Sequence, residues 1–168
     1  MNFFEKYYCA SKLYLLLGKL FLLSKLFIEF WTQVKNFLSR RKGMTKKNKN
    51  IVIIEDDEGI SRLIKFKLVK EGFNVKSFSN GEKVIEYLIR DTPDLIISDV
   101  MMPVIDGLTL LKEIKADSRI SDIPVIMLST YTHESAILEC LRAGAADYIT
   151  KPFSTTELLL RIQKTLLK

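Results

Sequence analysis

From Ile51 onward, short β-rich runs alternate with stretches whose apolar residues recur at helical spacing. Residues 51–54 (IVII) are unbroken apolar, the pattern of a strand covered on both faces. Residues 57–71 put Ile60, Leu63, Ile64 and Leu68 on one helical face, and Gly72 supplies the stop. Val75 to Phe78 predicts a second strand. The Asn80-Gly81 turn leads into a helix through Val84, Ile85, Tyr87, Leu88 and Ile89. Asp94 to Ser98 predicts the third strand, ending at Asp99, and a helix follows Pro103 and Gly107 over about 108–116. Ile123 to Leu128 reads as strand four, with a helix over about 134–143. Asp147 to Thr150 reads as strand five, and 154–167 as the last helix. Five strand–helix units in about 118 residues predict an α/β fold, a doubly wound parallel sheet with helices on both faces.

Residues 1–43 follow another pattern. Leucine runs (15–17 and 22–23) and 10 of the 17 aromatic residues lie here. Gly18, Lys25, Glu29, Thr32, Gln33, Asn36 and Arg40 draw one narrow polar stripe along a largely apolar helix, an imperfect amphipathic pattern because Lys19, Ser24 and Lys35 fall off it. Residues 44–50 are basic and aperiodic and read as a linker to a domain over 51–168. Residues 13–31 are long enough to span a bilayer, but Lys19, Lys25 and Glu29 would each cost about 2.5–3.5 kcal/mol near its centre. The sum for a span comes out near zero, and an interfacial helix fits the stripe and the aromatic load equally well. A signal peptide does not fit, because Lys breaks the apolar region and no small-residue cleavage site follows. The competing reading is a start at Met44, since Met44 to Ile51 is how a bare domain would begin.

Charge divides along the same boundary. Residues 1–50 hold 11 Lys+Arg against 2 Asp+Glu, while residues 51–168 hold 15 against 18. The net +6 and the pI near 9.2 therefore belong to the first fifty residues, and nucleic acid is not an expected partner of the domain. Cys9 and Cys140 match no metal or redox spacing and suit a reducing cytoplasm.

In doubly wound sheets ligands bind beyond the carboxyl ends of the strands. Strand one ends in Glu55-Asp56-Asp57, strand three in Asp99, strand four in Ser129-Thr130 and strand five in Thr150-Lys151-Pro152. Carboxylates gathered at one rim repel unless a cation sits among them. With a backbone carbonyl they are the ligand set of a hard ion such as Mg²⁺. A lysine and a hydroxyl opposite that ion suit phosphoryl oxygens, and an Asp between them is a nucleophile able to carry an acyl phosphate.

Residues 51–58 (IVIIEDDE), 94–107 (DLIISDVMMPVIDG), 123–129 (IPVIMLS) and 145–153 (AADYITKPF) resemble the receiver domain of bacterial two-component response regulators. The resemblance runs across 51–168 and implies a flavodoxin-like sheet in the order 2-1-3-4-5. It implies that Asp99 is the phosphoacceptor, charged by a histidine kinase or phosphotransfer protein in a reaction dependent on Mg²⁺. Asp56 would bind the ion directly, Glu55 through water, and Met101 by its backbone carbonyl. Ser129 matches the switch hydroxyl, Tyr148 the aromatic switch and Lys151 the phosphate-binding lysine, with a cis Lys151–Pro152 bond. Side chains at Met101 and Tyr131 would flank the path of hydrolytic water, and Thr130 stands where the family usually has a small residue. Slow loss of phosphate is the expectation. With the last helix ending at Lys168, output is expected through a partner protein, a phosphotransfer relay or the N-terminal segment.

Plainer readings accompany these. Asp57 and Asp106 suit helix N-caps. His133 is a solvated helix-start residue, Cys140 a small core residue, and Met101 and Met102 pack or face solvent. An aspartate-nucleophile phosphatase is the alternative of another class, but it needs an acid where Met101 stands. A non-phosphorylated adaptor would have lost acidic or lysine positions, and all are present.

Overall fold

The computed structural model describes residues 49–81 and 83–167. The amphipathic helix expected over 1–43, with its membrane contact, and residues 44–48 of the linker lie outside that range. Five strands, β1 (Asn50–Ile54), β2 (Asn74–Phe78), β3 (Leu95–Asp99), β4 (Val125–Ser129) and β5 (Asp147–Thr150), form one parallel sheet in the order β2-β1-β3-β4-β5. Helices α1 (Glu58–Lys70), α2 (Val84–Asp91), α3 (Gly107–Ala116), α4 (Glu134–Arg142) and α5 (Thr155–Thr165) alternate with them. Among these helices none is long and apolar enough to cross a membrane.

Period-two alternation along the strands feeds two dry cores. Val52, Ile54, Ile96, Val125 and Met127 pack beneath α2, α3 and α4 through Val84, Leu88, Leu110, Leu111, Ile114 and Cys140. Ile51, Ile53, Leu95, Ile97 and Leu128 pack beneath α1 and α5 through Ile64, Leu68, Leu158 and Ile162. Each fully buried aliphatic side chain contributes about 1.5–3 kcal/mol, so the sheet is a rigid base for the loops at its rim.

Several boundaries differ from the sequence pattern, each for a polar reason. Asn50 belongs to β1 rather than to the linker. It pairs in register with Asn74, and its N–H donates to the Asp94 carboxylate. Asp94, occupied by that bond and by Lys49, stands just before β3. Strand four begins at Val125, since Pro124 has no N–H to donate, although its carbonyl accepts from Ile96. Leu63 is 52% exposed, against the expected buried face. The packed arc centres on Ile64 and Leu68, and Leu63 lies about 100° around the helix on its outer flank.

Asp57 and Asp106 cap their helices as the plainer reading holds, accepting from Ile60 and Thr109 N–H respectively. Gly72 takes φ 90° after α1. Gly107 has a stricter role: a Cβ there would stand 1.9 Å from the Asp99 carbonyl oxygen, and its N–H donates to the Val100 carbonyl. The start of α3 is thereby pressed against the end of β3. Gly107→Ala must push these backbones apart, at about 1–3 kcal/mol or more. Urea unfolding should show that loss, and an unchanged midpoint would mean that the close approach carries no stability.

Candidate functional site

Strand pairing continues past the strand ends and sets the rim. The Glu55 N–H donates to the Phe78 carbonyl at 3.0 Å, that of Val100 to Leu128 at 2.8 Å, and that of Lys151 to Ser129 at 2.7 Å. On this frame Glu55, Asp56 and Asp99 each place a carboxylate oxygen within 4.8 Å of the others. Glu55 and Asp99 are buried, while Asp56 faces solvent. Lys151, beside a cis Lys151–Pro152 bond, sends its ammonium into the group. Its Nζ lies 2.6 Å from Asp99 Oδ2 and 3.0 and 2.8 Å from the two Glu55 oxygens. The Met101 N–H donates to Asp99 Oδ1 at 3.1 Å, so both Asp99 oxygens are engaged.

Burial pushes the Glu55 carboxyl up to about 7, helped by the Asp99 charge and opposed by the Lys151 hydrogen bond. Burial pulls the Lys151 ammonium down, but its bonds to Asp99 and Glu55 outweigh that and hold it above the ordinary lysine value. One ammonium thus serves two buried carboxylates with a third beside them. The cluster is short of positive charge, and its donors are hard oxygens, so a small divalent cation fits it.

Ser129 and Tyr148 make no hydrogen bond to the clustered carboxylates and meet at a residue that the strand-end pattern left out. The buried Ser129 Oγ accepts from the Tyr131 N–H at 3.0 Å. The Tyr148 hydroxyl donates to the Tyr131 carbonyl at 2.9 Å, with its ring packed in the core beneath α4. Both ends of the Tyr131 peptide are therefore tied to the two expected switch residues. Its identity gave no signal, because the bonds are made by backbone. Met101 is exposed and its Sδ accepts from the Thr130 hydroxyl at 3.4 Å, whereas Met102 is buried. A groove lined by Asp56, Met101, Pro103, Leu108 and Tyr131 opens beside the carboxylates. His133 is the exposed N-cap residue of α4 and makes no side-chain cap bond. Cys140 is a free thiol buried in the core, its pKa pushed up by that burial.

The family description "Response regulator receiver domain" matches residues 51–163. The chain belongs to the response regulator receiver family. It is 40% identical over 116 residues to the transcriptional regulatory protein RprY of Bacteroides fragilis (strain YCH46), covering 69% of this chain and 48% of that protein. It is 37% identical over 116 residues to the DNA-binding dual master transcriptional regulator RpaA of Synechocystis sp. (strain ATCC 27184 / PCC 6803 / Kazusa), at the same coverage of 69% and 48%. The chain thus spans about half the length of these curated relatives. Their names lend no support to the expectation that nucleic acid is not a partner. Among solved structures, the receiver domain of sensor histidine kinase PA1611 from Pseudomonas aeruginosa PAO1 is similar, with a TM-score of 0.67 and 28% identity over 72% of this chain and 99% of that one. That structure is described with a magnesium ion coordinated in its active-site cleft. The receiver family places the chain in phosphorelay signalling.

Lys151 is the only ammonium bonded to the carboxylates among the described residues. Lys151→Met should lower stability in metal-free buffer by about 1.5–3 kcal/mol, the worth of charge-assisted bonds left unmade, while Lys151→Arg should retain part of it. Equal urea midpoints for wild type and Lys151→Met would show that the ammonium does not hold the rim together.

Proposed function

We propose that this receiver accepts a phosphoryl group on Asp99 from a histidine kinase or phosphotransfer protein and passes the change to an output protein. The observation that carries the reading is the Lys151 ammonium 2.6 Å from an Asp99 oxygen, beside two further carboxylates. An Asp99 oxygen attacks phosphorus, and the bond from phosphorus to the donor nitrogen or oxygen breaks, its electron pair leaving with the donor. Lys151 then holds oxygens of the new acyl phosphate, and Ser129 donates its hydroxyl proton to another. Mg²⁺ would be held by Asp56, Asp99 and Glu55 with the Met101 carbonyl. When bound, it supplies the positive charge that lets carboxylates and phosphoryl oxygens share one cleft.

The side chains of Met101, Thr130 and Tyr131 near the cleft include no carboxylate or amide to orient water, which supports slow loss of phosphate. A phosphatase reading draws nothing from Met101, whose exposed thioether offers no acid. The cysteine usage suits a cytoplasmic receiver, and the amphipathic sequence pattern of residues 1–43 suits peripheral membrane contact.

With acetyl phosphate and Mg²⁺, intact-mass spectrometry should show one base-labile adduct, removed by hydroxylamine, absent in Asp99→Asn and suppressed by EDTA. The same adduct in Asp99→Asn would sink the assignment. Switching follows from the Tyr131 ties. A phosphoryl group adds about one to two negative charges, and drawing Ser129 Oγ toward it takes the acceptor away from the Tyr131 N–H. Ser129→Ala should therefore keep phosphorylation but weaken the response of α4, β5 and α5. Amide shifts around Tyr148 on adding beryllofluoride report this. A wild-type protein whose metal site responds while that face stays still would contradict the switching role.

A further inference from the structure

In a domain that is acidic as a whole, α1 carries four of the 15 basic residues of 51–168 and one of the 18 acidic ones. Arg62 is paired with Glu58 and Lys67 with Glu71, whereas Lys65 and Lys70 make no ion pair among the described residues. Large apolar side chains stand among them: Leu63, Phe66 and Val69 are exposed, Phe66 at 69%. At 100° per residue these three share one arc of about 160° with Arg62, Lys65 and Lys70, facing away from the buried Ile64. An apolar patch laced with ammonium groups is the composition of a helix that lies in the plane of an anionic membrane surface. A cleft of about 280 Å³ opens beside Lys65, lined also by Ser61, Ser77 and Ser79. Its acidic members, Glu55 and Glu58, are engaged by Lys151 and Arg62, while Ser77 Oγ has no hydrogen-bond partner. Donors are left over there, which suits a phosphate oxygen. The chain also enters the domain at the foot of this helix. The Lys49 carbonyl accepts from the Asn74 N–H at 3.0 Å, three residues past the C-cap Glu71, and the 48 residues before Lys49 include Lys46 and Lys47.

We propose that the outer face of α1 docks on an anionic phospholipid surface, with Leu63, Phe66 and Val69 entering the headgroup layer and Arg62, Lys65 and Lys70 against lipid phosphates. The inference rests on the peripheral membrane contact of residues 1–43 and names the face of the receiver that turns to the same bilayer. Charge draws the face in, and the apolar side chains hold it once the surface is reached. With α1 lying in the plane of the surface, the carboxylate rim at its N-terminal end opens sideways and stays within reach of phosphoryl donors.

The test uses the full chain with vesicles of phosphatidylcholine, either alone or with about one third phosphatidylglycerol. Hydroxyl-radical footprinting read by mass spectrometry reports how open Leu63 and Phe66 are. Their oxidation should fall about threefold or more on the anionic vesicles and little on phosphatidylcholine alone, while that of Leu138 and Leu141, exposed on α4, should not change. In co-sedimentation, Lys65→Gln/Lys70→Gln and Phe66→Ser should each lower the partition onto anionic vesicles about tenfold, with urea midpoints close to wild type. A full chain that stays in solution with both vesicles would remove the peripheral contact of residues 1–43, and this face with it. A chain that pellets while Leu63 and Phe66 are oxidised as in solution, or variants that pellet like wild type, would overturn the α1 face alone. So would protection of Phe66 that grows with protein concentration in the absence of lipid, which would assign the face to a second copy of the chain.

Discussion

One ammonium shared by two buried carboxylates is the constraint around which the rim is arranged. Glu55 and Asp99 are brought together by β1 and β3, neighbours in the sheet, whose packed faces leave little water to screen them. Among the described residues Lys151, which follows the far edge strand β5, is the one cationic side chain bonded to both. Burial first, and then the neighbouring Asp99 charge, hold the Glu55 carboxyl above its ordinary range even with Lys151 bonded to it. Three carboxylates facing one ammonium are the donor set that suits a small hard cation.

The scaffold serves this by being stiff where the rim must be exact. Two aliphatic cores clamp the sheet from both faces, and ladder hydrogen bonds continue one residue beyond the strands to hold Glu55, Val100 and Lys151. Gly107 lets α3 press against the Asp99 carbonyl, so the loop between them is short of room. Its strain is visible at Val104, a β-branched residue at φ 73° within a turn closed by the Ile105 N–H on the Pro103 carbonyl. Beyond the ends of the paired strands β4 and β5, Tyr131 is tied to a residue of each. The Tyr131 N–H donates to Ser129 Oγ, and the Tyr131 carbonyl accepts from the Tyr148 hydroxyl.

The amino-acid sequence by itself determined the alternation of strands and helices, because burial on both sheet faces demands continuous apolar runs such as residues 51–54 and 95–97. It determined the capping roles of Asp57 and Asp106, which need only residues three positions away. The residues of the ionic group were legible too, since every parallel strand must end at the same rim and the ends could be read one by one. Tertiary structure alone decided what depends on contacts between distant segments. Leu63 has the spacing of a core residue and faces out, because packing against the sheet reaches only part of the apolar arc. Asn50 looks like linker and is strand, because its partners Asn74 and Asp94 come from two other strand starts. The ties at Tyr131 and the Thr130–Met101 contact have no signature in composition or period. Backbone groups are the same in every residue, and a hydroxyl finds a sulfur only when two loops are held at one distance.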